Sequence, residues 1–166
     1  MMGHKIVLGI AGPLLLGSCA LFGLPTTYLF KHNPNQADPS AGGNAVPSVS
    51  GGMVSTTLSL SGLTPGEAYI AHYHAFGPDS STNPCASNGP VSVGFPNFTA
   101  DASGNASVTL KTDMSKIEGD KGAYINVHYA SDPSVVPICA PVKLLNLTRL
   151  KSRDSRFAAR CPPKWV

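Results

Sequence analysis

Charge is scarce in this chain. Asp, Glu, Lys and Arg make up only 13% of its 166 residues, about half the usual share. That argues against helices laced with ion pairs and against the broad basic face of a nucleic-acid binder. Aromatic residues are few as well, 7% with a single Trp. Most catalytic signatures are also missing. The sequence has no phosphate-cradling glycine loop of either standard spacing, no nucleophile elbow and no Cys/His pair of hydrolase type. What it has instead is punctuation, 17 Gly and 15 Pro, the composition of a turn-rich β protein with room for one core.

The net charge of +3 is unevenly spread. Residues 143–166 hold seven basic side chains against one acid, Asp154, whereas residues 32–142 hold three lysines against eight acids. The body is mildly acidic, so no nucleic-acid partner is expected, and the basic tail reads as a solvated end.

The amino terminus reads as a targeting segment. Lys5 precedes an apolar run from Ile6 to Leu16, and small residues lead into Cys19. "LGSC" resembles the bacterial lipobox, which implies lipidation at Cys19. Apolar character continues to Phe30, so an uncleaved membrane anchor stays open beside the lipoprotein reading. Either one exports the domain to a periplasmic or cell-surface location, tethered to a membrane. The next stretch, rich in Pro, Gly, Ser and Asn and without a periodic apolar face, reads as a flexible linker. The expected organisation is therefore 1–31 signal or anchor, 32–52 linker, 53–147 a β domain and 148–166 a basic, disordered tail.

From Met53 onward, short alternating runs are separated by turn residues. "MVSTTLSL", "AYIAHYHAF", "ASVTLK", "GAYINVHYA" and "ICAPVKLL" read as strands, and their spacing predicts an all-β fold, a Greek-key sandwich or barrel. With Cys19 given to the anchor, Cys85 and Cys139 are the natural disulfide pair of an exported domain. Cys161 is left without an assignment.

His4 and His32 lie in the signal and linker segments, so the body keeps three histidines, His72, His74 and His128. Side chains two apart on a strand share a face. His72 and His74 therefore point together, and His128 lies with Tyr124 and Asn126 opposite Ile125 and Val127. Three imidazoles on two strands suit a metal site, with copper first in the divalent affinity order and zinc its rival. Met53 and Met114 are weaker candidates for a soft ligand. Glu67, Asp120 and Asp132 are candidates for orienting an imidazole from behind.

Five ordered pieces, "GLTPGEAYIAHYHAFG", "CASNGP", "FTADASGNASV", "YINVHYASD" and "PICAPV", resemble a Cu/Zn superoxide dismutase domain with shortened loops, from Leu58 to about Leu145. The resemblance implies a fold of that type, His72, His74 and His128 as copper ligands, Cys85 bonded to Cys139, and a homodimer as a form open to it. The departures are equally plain. Val91 stands where the family's bridging histidine belongs, the zinc loop is missing, and Val136 replaces the guiding arginine. No zinc is expected, and no catalytic residue is assigned. The expected function is an exported copper-binding protein, holding Cu(I) or Cu(II) for handling or tolerance. A copper-only superoxide dismutase and a structural lipoprotein without metal remain the alternatives.

Overall fold

The computed structural model describes residues 26–76, 83–87, 89–117 and 122–144. Among them every regular element except one 3-10 turn (Met114–Lys116) is a β-strand: β1 (Tyr28–His32), β2 (Gly42–Ser50), β3 (Met53–Ser61), β4 (Ala68–Ala75), β5 (Val91–Gly94), β6 (Phe98–Thr99), β7 (Ala106–Asp113), β8 (Ala123–Tyr129) and β9 (Ile138–Val142). All the pairings are antiparallel, in the order β5-β4-β8-β9-β1-β2-β3-β7. Short β6 pairs with β4 and packs against β7, so the sheet nearly closes on itself. The all-β expectation holds. No helix among the described residues is long and apolar enough to cross a membrane.

Period-two alternation explains which faces turn inward. On β3, Val54, Thr56, Leu58 and Leu60 are buried while Ser59 and Ser61 are exposed. On β4 and β8, Tyr69, Ala71 and Tyr73 with Ile125 and Val127 are fully buried in the same core. Thr56 and Tyr73 bridge the two halves across it through a hydroxyl pair at 2.7 Å, and burial pushes the Tyr73 hydroxyl up to about 12. Gly51 and Gly52, at φ +58° and +81°, form the two-residue turn between β2 and β3. Positive φ at both positions matches the twist of a hairpin, which is why two glycines stand there.

The structure corrects the boundaries expected at the amino-terminal side. Residues 28–31, read as part of the anchor, belong to β1, and the supposed linker 32–52 contains β2. β1 joins the two halves, pairing with β2 through Tyr28 to Phe30 and with β9 through Lys31 and His32. Composition misleads here because β2, "GGNAVPSVS", brings small residues to a crowded place. Ala45 is fully buried, and Pro47 lies beyond the last β1 pair, where β2 has an open side for its missing N–H. The anchor segment before residue 26, Cys19, Asp120, Cys161 and the basic tail lie outside the described residues.

The connection between β1 and β2 is fixed by Asp38. Its buried carboxylate accepts hydrogen bonds from the hydroxyls of Thr64 (2.6 Å), Tyr69 (2.6 Å) and Tyr129 (2.9 Å). Burial, and then the Asp38 bond, hold the Tyr69 hydroxyl well above its usual range. Asp38→Ala strands these donors and places alanine at φ +54°. The expected loss is about 3 kcal/mol of unfolding free energy, read from urea midpoints, with a smaller loss for Asp38→Asn, which keeps an acceptor oxygen.

Candidate metal site

Since β4 turns Tyr69, Ala71 and Tyr73 into the core and β8 turns Ile125 and Val127, the alternate residues face outward. Register places Ile70 opposite His128, His72 opposite Asn126 and His74 opposite Tyr124. The three histidines of the sequence analysis thus share one face: parity pairs His72 with His74, and the register brings His128 beside them. One potential ligand atom from each lies within 4.8 Å of the others, and the ring centroids stand 5.3 to 6.0 Å apart.

An outer sheet face should be wet, yet His74 is only 8% exposed and His128 only 7%. Two loops cover them. One carries Cys85, bonded to Cys139 on β9 as expected, and its backbone is read by side chains below it. His74 Nδ1 lies 3.0 Å from the Gly89 carbonyl, and the Tyr124 hydroxyl donates to the Ser87 carbonyl at 3.0 Å. The Tyr124 ring also stacks on His74 at 4.9 Å. The other loop follows β8, where His128 Nδ1 lies 2.7 Å from the Pro133 carbonyl. Asp132 shapes that turn by accepting from the Ser134 N–H and hydroxyl.

A carbonyl can only accept, so both Nδ1 atoms carry the proton and both Nε2 atoms present a lone pair. Those two Nε2 atoms are buried without a hydrogen-bond partner, as is Asn126 Oδ1 on the same face. Orphaned buried acceptors cost about 1–3 kcal/mol each, so ordinary packing does not account for them. A cation held between the two imidazoles would satisfy both Nε2 atoms. His72, half-buried, makes the third corner, its ring resting over Gly94 where an added Cβ would stand 3.3 Å from Cδ2.

Burial lowers the pKa of all three imidazoles from the ordinary 6.5, and the neighbouring rings add to this at His72 and His128. The site is therefore neutral and ready to ligate near pH 7. In the metal-free protein these lowered values make stability depend on pH. Below about pH 6.5 the unfolded chain takes up protons that the folded rings refuse, so stability falls as pH drops and rises as pH climbs back through that window. Urea midpoints at pH 5.5 and 7.5 check this, the lower being expected at 5.5.

The orienting groups differ from those expected. Backbone carbonyls hold the imidazoles, while Asp132 caps its own turn and Glu67 accepts from the Ser131 hydroxyl at 3.3 Å. Met114 is core packing. Val91 pairs opposite His74 but is 57% exposed. Sequence reasoning placed Asn126 on the right face but gave it no role. The carbonyls of Gly89 and Pro133 carry no side-chain signal by which a sequence could reveal them.

Comparison with known protein families overturns the superoxide dismutase resemblance. The family model that matches is the CHRD domain, a distinct β-barrel-like domain, over residues 27–135. The match starts upstream of β1, taking in two strands that the resemblance left out. The quoted pieces are turn and strand signals that unrelated antiparallel domains share, and Val91 and Val136 were the informative departures. None of the curated proteins compared matches the chain.

Proposed function

The chain belongs to the CHRD-domain family, and on that footing we propose that it is a copper-binding protein whose ion is held by His72, His74 and His128. The observation that carries this reading is the pair of buried, unpartnered Nε2 atoms on His74 and His128, each fixed by a carbonyl at its other nitrogen. Carbonyl-backed imidazoles are the usual support of a metal site. Three nitrogen donors suit copper, which stands above zinc among the divalent ions. The Cys85–Cys139 bond supports work in an oxidising compartment outside the cytoplasm, where the ion would be held or passed on.

Titration of the purified full-length chain with Cu(I), Cu(II) and Zn(II) against chelators of known affinity tests the proposal. One copper per chain, bound more tightly than micromolar and displaced by acid, is expected. Copper no tighter than micromolar, or zinc held more tightly than Cu(II), overturns it.

A further inference from the structure

His74 and His128 are widely separated in the register of β4 and β8. His74 faces Tyr124, four residues along β8 from His128, a span of roughly 13 Å. Their ligand nitrogens nevertheless come within 4.8 Å of one another. Both rings therefore lean toward the midpoint of that span, and the pair that stands at the midpoint is His72 opposite Asn126. Asn126 is only 6% exposed, and its Oδ1 is buried without a partner.

Among the described residues the other neighbours on this face are spent or apolar. The Tyr124 hydroxyl goes to the carbonyls of Ser87 and Gly89, Cys139 opposite Asn126 is in the disulfide, and Ile70 has no heteroatom in its side chain. Building on the copper reading above, we propose that Asn126 is the fourth donor of the centre, its Oδ1 completing a set of three nitrogens and one oxygen. An amide oxygen is a hard, neutral ligand. It favours the divalent ion over Cu(I), for which the three imidazoles alone suffice. Asn126 thus sets which oxidation state the site retains.

The test compares the full-length chain with Asn126→Leu, the same in branching and heavy-atom count and without a donor, and with Asn126→Asp, similar in shape and charged. Cu(I) and Cu(II) affinities are measured separately by chelator competition, with the copper potential as a second readout. Asn126→Leu is expected to weaken Cu(II) about tenfold and to leave Cu(I) within about twofold, raising the potential by about 59 mV. Asn126→Asp is expected to tighten Cu(II) and lower the potential. A merely structural asparagine would move both affinities together, and that result, or an unchanged potential in both variants, overturns the inference. Should Asn126→Leu fail to fold, the potential of Asn126→Asp decides alone. If copper binding needs all three histidines but ignores Asn126, only this inference falls, whereas a wild-type chain that binds no copper removes the metal reading and the inference together.

Discussion

Replacing His74 or His128 by alanine is expected to weaken copper binding a hundredfold or more, and replacing His72 to weaken it less, nearer tenfold. The asymmetry comes from preorganisation. His74 and His128 are buried, with Nδ1 fixed by Gly89 and Pro133 and Nε2 already free of hydrogen bonds, so neither ring gives up water or rotamer freedom when an ion arrives. Losing such a ligand removes more than a typical supporting contact, itself worth about 10- to 100-fold in metal affinity. Among the described residues the His72 ring has no hydrogen-bond partner; it is half-buried and steadied by Gly94 beneath it. Gly94→Val would push that ring aside and should weaken the ion about as much as His72→Ala. Chelator competition on the four variants ranks these effects. Equal losses at all three histidines would contradict the ordering.

Cutting the Cys85–Cys139 bond, by reduction or by Cys85→Ser, is expected to act twice. The bond spans 54 residues, and releasing that constraint on the unfolded chain lowers stability by about 4 kcal/mol. It also frees the loop whose Gly89 carbonyl orients His74 and whose Ser87 carbonyl holds Tyr124. With the tautomer of His74 no longer fixed, copper affinity should fall about tenfold or more even where the domain remains folded. Thermal unfolding with and without reductant reads the first effect, and copper competition at a temperature where both forms are folded reads the second. A reduced protein that keeps full affinity would show that the loop does not position the ligand.

Much of the domain was legible in the sequence because its strands obey parity. β3, β4, β7, β8 and β9 fall on the alternating runs, and the same period pairs His72 with His74 and sets His128 opposite Ile125 and Val127, while the register of β4 on β8 that brings the three together has no local signal. The first two strands were illegible for a physical reason. Ala45 and Pro47 bury little apolar surface of their own, and β2 is held as a strand by its partners β1 and β3 rather than by its own pattern. Asp38 was hidden for the same reason. Its partners Tyr69 and Tyr129 are 31 and 91 residues away in the chain, and no local spacing announces them. The family was misread because hairpin turns and an x-spaced histidine pair describe local geometry, which different antiparallel domains reuse.

β1 lies between β2 and β9, so among the described residues the first strand is hydrogen-bonded to the last. Such a neighbour is long in coming during synthesis, and most of the polypeptide must leave the ribosome before the seam can form. Folding should consequently finish late. The pairing of β1 with β9 also makes the described domain a natural subject for circular permutation, with new termini opened at the Gly51 and Gly52 turn.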